Sequence, residues 1–400
     1  MAGIVALTAA YVLSQFFRSF LAVLTPALIA ELGATKAELS AASGAWFIAF
    51  ALMQFVVGVS LDRFGPKRTA SILLGICGGG GAFLFALATT PWMVTAAMAL
   101  IGIGCAPVLM ASVFIFAREY SPARLAVLTS TLIGVGSAGN VFGTSPLANA
   151  AEAFGWRWVI AALGVLTILT ALAVALFVRD PAKPAGHDGN TGFAGYFELL
   201  KLRVLWPLIP LTALNYAPPV GIRGLWAGPY LADVYGASAL VIGQVTLFMA
   251  LAMVAGNFIY GPLDQIFRTR KWVAVTGNSL SLCAILWLAL HPGGGLNADT
   301  LAFALIGVTG ASYGLLMAHA RAFLPAHLMG RGVTLMNFFS IGGVGAMQFV
   351  TGAVVTGSTV PGDPTAAYST LFLFYAATIA VALAVYLLAR DAKPAAAARP

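Results

Sequence analysis

The chain has 400 residues, of which 60% are apolar and only 8% are charged, and its mean hydropathy is +0.93. A soluble globular domain carries about 25% charged residues, so this composition excludes that class and indicates an integral membrane protein. The formal net charge of +8 comes from Lys and Arg residues spread over many short loops. That distribution excludes a nucleic-acid-binding face.

Apolar runs of about 20 residues, the length needed to cross a bilayer, recur twelve times along the chain. We number them spans 1 to 12; they lie near residues 5–30, 40–61, 69–88, 92–116, 124–149, 157–178, 204–231, 239–262, 272–290, 300–320, 332–356 and 367–389. The sequence therefore predicts an all-α integral membrane protein with twelve transmembrane helices. The N-terminal segment lacks the features of a cleaved signal peptide and is expected to remain as span 1.

The distribution of positive charge predicts the orientation, because Lys and Arg are retained on the cytoplasmic side of a membrane. With the N-terminus placed inside, 17 of the 21 Lys and Arg residues fall on the cytoplasmic side, and only Lys36 and Arg157 fall outside. Both termini are therefore expected in the cytoplasm, with the chain in the cell inner membrane and the lipid bilayer around it.

The second half of the chain repeats the first at an offset of 203 residues. Without a gap, this offset aligns Pro26 with Pro229, Gly33 with Gly236, Gly58 with Gly261, Gly104 with Gly307, Arg118 with Arg321 and Pro122 with Pro325. The pattern predicts an N-terminal six-helix bundle at 1–180, a cytoplasmic linker rich in Pro and Gly at 181–203, and a C-terminal six-helix bundle at 204–400.

The loop between spans 2 and 3, from Gly58 to Thr69, reads GVSLDRFGPKRT. Its arrangement of glycine, acid and bases resembles the signature of the major facilitator superfamily. The second half carries a degraded copy, GPLDQIFRTRK, in which Arg268 replaces the turn glycine. The resemblance implies the major facilitator fold, two pseudosymmetric bundles of six helices that rock around a central substrate site.

The same resemblance implies that charged residues at the cytoplasmic end form a gate. Asp62 would hold this face closed through charge contacts, and the candidate gating residues are Asp62, Arg63, Arg68, Arg118 and Asp264. On span 5 the run GVGSAGNVFGTSP keeps Gly134, Gly136, Gly139 and Gly143. Thr144 stands where the proton antiporters of the superfamily have proline, so we interpret these glycines as positions of close helix packing.

Two arginines lie inside predicted spans, Arg18 in span 1 and Arg223 in span 7. A charge at bilayer depth costs at least ~2.5 kcal/mol, so it normally faces a water-filled cavity and has a function there. One arginine on each of these spans is similar to the arrangement in the organophosphate/phosphate antiporters of the superfamily. A guanidinium binds carboxylate or phosphate oxygens through a planar fork.

Polar neighbours complete the candidate substrate site. Tyr11 and Gln15 share a helical face with Arg18, and the candidates on span 7 beside Arg223 are Asn215, Tyr216 and Trp226. The 203 offset aligns Arg18 with Gly221 rather than with Arg223. Pro218 and Pro219 would break span 7 and absorb this difference in phase.

The sequence places no acidic residue at the middle of a span, where proton relays normally lie. His319 and Glu119, both near the cytoplasmic end, remain candidates for proton coupling.

We therefore expect a secondary transporter that moves a small organic or phosphorylated anion by alternating access, as a monomer and without a cofactor or metal. One alternative is a proton-driven exporter of hydrophobic or cationic compounds, which the apolar walls and the span 5 glycines favour. A second is a receptor of the same fold that does not transport. An enzyme is not expected, because no nucleophile with a nearby base and no metal-ligand cluster appears.

Overall fold

A computed structural model describes residues 2–181, 194–325 and 328–392, and part of the predicted linker lies outside these ranges. The described chain is built from α-helices and two π-helical segments. Its helices are Ala2–Phe16, Leu21–Leu32, Lys36–Phe64, Pro66–Ile72, Leu73–Gly79 (π), Gly80–Ala86, Pro91–Glu119, Pro122–Phe142, Ser145–Phe154, Trp156–Phe177, Ala194–Leu200, Ile209–Leu214, Ala217–Gly221, Ile222–Trp226 (π), Ala227–Tyr235, Ala239–Phe267, Lys271–Leu290, Leu296–Gly310, Tyr313–Arg321, Met329–Gly357 and Ala366–Tyr386.

Nine spans of the described chain are helical stretches long and apolar enough to cross a membrane, namely spans 2, 3, 4, 6 and 8 to 12. Span 1 consists of the helices Ala2–Phe16 and Leu21–Leu32, which meet at an angle of 52°. Span 5 ends at Phe142 and resumes as Ser145–Phe154, and span 7 is divided into four segments. Spans 1, 5 and 7 therefore do not form a single long helical stretch, whereas the sequence indicated twelve comparable runs.

The internal repeat is visible in the backbone. Span 2 is the helix Lys36–Phe64 and span 8 is the helix Ala239–Phe267, so both ends of the two helices are separated by the same 203 residues. Gly33 and Gly236, which precede these helices, adopt nearly identical left-handed conformations with φ of 64° and 63°. Glycine favours this region because it has no Cβ to clash with the backbone. The turn before span 2 is therefore rebuilt before span 8.

The repeat also extends to the turn after each of these helices, where the residue types differ. Gly65 has a φ of 88°, and its equivalent Arg268 has a φ of 53°, the one positive φ of a non-glycine residue in the described chain. Loss of glycine at this point has therefore preserved the left-handed turn. The arginine backbone carries the resulting strain, because a Cβ in this region lies too close to the following carbonyl oxygen.

We predict that Arg268→Gly stabilises the protein, because it relieves a backbone conformation that costs a non-glycine residue ~1–2 kcal/mol. The melting temperature of the purified protein in detergent should rise. Arg268→Ala is the matched control, since it removes the same charge but keeps Cβ, and it should give no comparable rise. Equal stabilisation by both variants would show that the charge, rather than the backbone, is responsible.

The described chain forms two compact units. The first comprises Met1–Thr191, Gly224–Pro229 and Ala237–Gln244, and the second comprises Gly192–Arg223, Tyr230–Gly236 and Val245–Pro400. Within the first unit, added Cβ atoms at Gly224 and Gly228 would lie 3.0 and 2.3 Å from the carbonyl oxygens of Arg18 and Ala22. The middle of span 7 therefore packs closely against the backbone of span 1.

Glycines let span 5 pack directly on span 1. A Cβ at Gly139 would lie 1.9 Å from the carbonyl oxygen of Val12, and one at Gly136 would lie 2.1 Å from the ring of Tyr11. Small residues permit such backbone approach in membranes, where helix association depends on close packing. The second unit shows the same close packing at a glycine, since a Cβ at Gly343 of span 11 would lie 2.0 Å from the carbonyl oxygen of Ala213.

Outward-facing side chains are large and apolar over much of the surface. Fully packed residues such as Phe17, Phe85 and Phe116 contrast with Trp158, Leu176, Phe258 and Leu301, each of which is more than 70% exposed. A soluble protein seldom exposes large contiguous apolar patches. The surface is instead suited to contact with lipid tails.

We predict that Gly139→Ala destabilises the protein, because overpacking of this kind typically costs ~1–3 kcal/mol. The melting temperature in detergent should fall. Gly134→Ala is the matched control on the same helix, since nothing lies within 4 Å of its added Cβ, and it should be neutral or slightly stabilising. A similar loss in both variants would contradict the packing role of Gly139.

Candidate anion-binding site

Arg18 lies at the break in span 1. The α-helix ends at Phe16, and the backbone N–H groups of Arg18 and Ser19 donate to the carbonyls three residues earlier, at 3.3 and 3.0 Å. The hydroxyl of Ser19 also donates to the carbonyl of Phe16 at 3.2 Å. Such local bonds of serine compete with the helical pattern and bend helices. Arg18 therefore projects from a corner of the chain rather than from a continuous helical face.

Aromatic rings from span 2 hold the guanidinium of Arg18. Its Cζ lies 5.3 Å from the ring centroid of Trp46 and 4.9 Å from that of Phe50. The two rings stack on each other, with centroids 5.1 Å apart and planes inclined by 16°. A cation near an aromatic face is stabilised by the ring quadrupole, and more so away from water.

Two nitrogens in this contact are buried and have no hydrogen-bond partner among the described residues. These are Arg18 Nε and Trp46 Nε1, and Trp46 as a whole is fully buried. More than nine in ten buried polar groups are normally paired. The site thus presents donors and positive charge but no acceptor that matches them.

The polar residues predicted beside Arg18 are buried on the same helix and bonded to one another. The Gln15 side chain donates to the hydroxyl of Tyr11 at 2.6 Å and accepts from Asn140 of span 5 at 3.5 Å. Ser14 forms a hydrogen bond with Cys105 of span 4. Span 1 therefore carries a polar network on the N-terminal side of Arg18.

Span 7 is interrupted where its prolines predicted a break. Pro218 and Pro219 begin the short helix Ala217–Gly221, and the π-helix Ile222–Trp226 follows it. The i to i+5 hydrogen bonding of a π-helix changes the face that later residues occupy, and such segments are frequent at functional sites. Arg223 lies within this segment and is only 2% exposed, and Trp226 is fully buried.

Asn215 anchors a second polar cluster, in the second unit. Its amide donates to the Asn278 side chain and to the Ser312 hydroxyl, both at 2.8 Å. Tyr216, the next residue, packs its ring against Tyr313 at a centroid distance of 5.4 Å. Asn215 therefore joins span 7 to spans 9 and 10. Asn278 and Ser312 were not among the predicted site residues, because isolated polar residues in apolar spans carry no sequence signal of their partners.

The candidate gating residues lie at the predicted cytoplasmic ends of their helices. Arg63, Arg68 and Arg118 are exposed, and Arg118 stacks over Phe114 at 4.1 Å. The side chain of Asp62 lies outside what the structure describes. In the second unit Asp264 is buried, and its carboxylate pairs with Arg270 Nε at 3.1 Å. Arg270 also donates to the carbonyl of Ala318 at 3.1 Å, which ties this loop to span 10.

Two aspartates connect the last span of each unit to the start of the third span of that unit. The sequence did not indicate either of them. Asp180 accepts from the backbone N–H of Lys67 at 2.8 Å. Asp391 accepts from the backbone N–H groups of Arg270 and Lys271 and from the Thr269 hydroxyl. Burial alone would raise the pKa of Asp391, but these hydrogen bonds lower it below its usual value. The sequence feature that could have indicated these two aspartates is an Arg-Asp pair, which occurs after span 6 and again after span 12.

The two candidates for proton coupling differ in their surroundings. Glu119 is exposed at the end of span 4. His319 is fully buried, with Nδ1 2.6 Å from the Tyr386 hydroxyl and Nε2 2.9 Å from the carbonyl of Arg390. Since a carbonyl only accepts, Nε2 carries a proton, and when the ring is neutral the Tyr386 hydroxyl donates to Nδ1. His319 thereby fastens the chain end to span 10.

Asp299 is a buried acid whose environment the sequence did not reveal. It lies in the first turn of the helix Leu296–Gly310 and is fully buried. One carboxylate oxygen accepts from the hydroxyls of Tyr230 and Tyr235. A helix N-terminus also favours negative charge. The carboxylate therefore joins the end of span 7 to the start of span 10.

Metal ligands do not cluster in the described part of the chain, where no group of three or more His, Cys, Asp or Glu side chains could hold an ion. Its cysteines Cys77, Cys105 and Cys283 are free. The chemistry of the site thus lies in hydrogen-bond donors and aromatic surfaces.

Comparison with protein families decides the identity. The family model described as Major Facilitator Superfamily matches residues 7–347. The chain belongs to the major facilitator superfamily. Its twelve-helix all-α membrane fold is therefore the one that the loop from Gly58 to Thr69 indicated. A search of curated protein sequences finds no match.

Solved structures share the fold at low sequence identity. A bacterial homologue of the human lysosomal transporter Spinster, inward-facing and unoccupied, is 20% identical with a TM-score of 0.77, covering 97% of this chain and 96% of the other. The nucleoside transporter NupG is 15% identical with a TM-score of 0.76, covering 97% and 98%. A D-xylose-proton symporter is 12% identical with a TM-score of 0.75, covering 100% and 99%.

Membership of this family indicates a multi-pass membrane transporter rather than an enzyme. The substrates named for the three solved structures differ from one another, and identities of 20% or less carry the fold alone. The substrate of this member of the superfamily has to be inferred from its own site.

Proposed function

We propose that this major facilitator protein is a secondary transporter of small organic anions, with Arg18 as the group that binds the anion. The observation that carries the proposal is that Arg18 Nε is buried and has no hydrogen-bond partner in the part of the chain that the structure describes. A buried donor left unpaired costs ~1–3 kcal/mol, and more when it is charged. An anionic substrate would supply the missing acceptor and the opposite charge together.

The surroundings of Arg18 support an anion over a cation. Trp46, Phe50, Ser14 and Cys105 are neutral, and every other Lys, Arg, Asp or Glu described in residues 2–181 lies in a loop or near a helix end. A cationic substrate would meet the same sign of charge, which is costly away from water. The aromatic rings would accommodate the organic part of the substrate.

The other predicted residues keep their assigned roles in this proposal. Arg223 is the second candidate for binding the anion, and Tyr11, Gln15, Asn215, Tyr216 and Trp226 are candidate contacts. Transport would proceed by alternating access in a cell inner membrane with both termini cytoplasmic. Its gate would involve Asp62, Arg63, Arg68, Arg118 and Asp264, and His319 or Glu119 would couple protons if coupling occurs.

We predict that Arg18→Gln abolishes anion-dependent stabilisation. A thermal-shift screen would compare carboxylates, phosphate esters, inorganic anions and lipophilic cations on the purified wild type and variant. Loss of a charged partner typically costs ~2–5 kcal/mol, which weakens affinity at least about 30-fold. Arg18→Lys, which keeps the charge but lacks the planar fork, should give an intermediate shift.

Arg124→Gln serves as the control, because it removes an exposed positive charge at the start of span 5 and should bind anions as the wild type does. Equal anion shifts in wild type and Arg18→Gln would contradict the proposal. Stabilisation by lipophilic cations, unchanged in Arg18→Gln, would instead identify an exporter of cationic compounds.

A further inference from the structure

We propose that the anion is a monocarboxylate, and that the indole N–H of Trp46 donates the second hydrogen bond that holds it beside Arg18. This inference rests on the proposed function, because it concerns the same site. It adds a binding residue on span 2 and the chemical class of the substrate head group.

The indole of Trp46 is exceptional among the buried tryptophans of the first unit. Trp156, also buried, donates its indole N–H to Glu31 at 2.9 Å. Trp46 is 0% exposed, yet its Nε1 has no hydrogen-bond partner within residues 2–181, 194–325 and 328–392. Buried tryptophans usually satisfy this donor. A substrate oxygen is the acceptor that would account for the difference.

Packing fixes the position of Trp46. Its ring makes an edge contact with Phe47 at a centroid distance of 4.8 Å and stacks on Phe50 at 5.1 Å. Its backbone is held as well, because a Cβ at Gly102 of span 4 would lie 2.3 Å from the Trp46 carbonyl oxygen. The indole N–H cannot easily turn away to find another acceptor. It is therefore pre-organised, which reduces the entropy cost of binding a ligand.

The two unpaired donors belong to side chains in direct contact. The Arg18 Cζ lies 5.3 Å from the Trp46 ring centroid, so one ligand can reach both groups. A carboxylate offers two oxygens, one for the guanidinium and one for the indole, and charge-assisted bonds of this kind are roughly twice as strong as neutral ones. Phe50, which stacks on Trp46 and also lies beside the guanidinium, provides an apolar wall for the body of the molecule.

The charge available in the first unit favours a carboxylate over a phosphate ester as the head group of the ligand. The described charges of residues 2–181 leave Arg18 as the one cation away from helix ends and loops. A carboxylate brings a single negative charge, whereas a phosphate monoester carries about −1.5 to −2 at pH 7. The excess negative charge would remain uncompensated in a low-dielectric site, which is costly. The charge of the first unit, which does not include Arg223, therefore matches a monoanion.

The experiment measures affinities of the purified full-length protein for matched pairs of probes by calorimetry. Benzoate is compared with phenyl phosphate, and propionate with ethyl phosphate, so that only the head group changes within a pair. Trp46→Phe keeps an aromatic ring beside Arg18 but removes the donor. Trp156→Phe is the matched control, since it removes an indole N–H from the same unit outside the site.

We expect wild type to bind the carboxylate of each pair more tightly. Trp46→Phe should weaken carboxylate binding about tenfold, equivalent to ~1.4 kcal/mol, and Trp156→Phe should leave it unchanged. Trp46→Tyr, which also lacks the indole N–H, provides a second variant if the first does not fold.

Each contrary result has a distinct meaning. Unchanged carboxylate affinity in Trp46→Phe would show that the indole bonds water or nothing, and would overturn its role while leaving Arg18 as the anchor. Tighter binding of the phosphate esters, lost in Arg18→Gln, would overturn the carboxylate class but preserve the proposed anion transporter. Binding of neither class, or binding that survives Arg18→Gln, would overturn both.

Discussion

The substrate site depends on the cost of placing the positive charge of Arg18 inside a membrane protein. Trp46 and Phe50 lie beside that charge, and among the described residues its Nε has no hydrogen-bond acceptor. Such an arrangement is stabilised by the aromatic rings yet incomplete in hydrogen bonding. A site of this kind favours whatever ligand supplies an oxygen and a negative charge.

Both arginines inside the spans lie where the helical backbone is irregular. Span 1 bends by 52° at the segment that contains Arg18, and span 7 becomes π-helical at the segment that contains Arg223. Spans 2 and 8, in contrast, are continuous helices of 29 residues. Discontinuous helices in transporters expose backbone and side-chain groups at the depth where substrates bind. The regular helices would act as the frame, and Gly102 and Gly139 bring other spans against spans 2 and 1.

Much of this could be predicted from the sequence, and the limits have physical causes. Apolar length, the 203-residue repeat and the loop from Gly58 to Thr69 were sufficient for the fold, because each is a local property of the chain. The sequence also identified Arg18 as a charge inside a predicted span. It could not identify Trp46 as a donor, because an unpaired indole is defined by which residues surround it. Asp299 was missed for the same reason, since a helix-end acid looks solvated until tyrosines from another span are seen to cover it.

Whether the anion binds at Arg18 is tested most directly by the ¹⁵N resonance of the Arg18 Nε–H group in the solubilised protein. This resonance is assigned by its absence from the spectrum of Arg18→Gln. The anion that raises the melting temperature most would be titrated into wild type. If the anion binds at Arg18, the chemical shift of this resonance should change, and the change should saturate at the same anion concentrations that stabilise the protein. A resonance that stays in place while the protein is stabilised would show that the anion binds elsewhere, and Arg18 would lose its role as the substrate anchor.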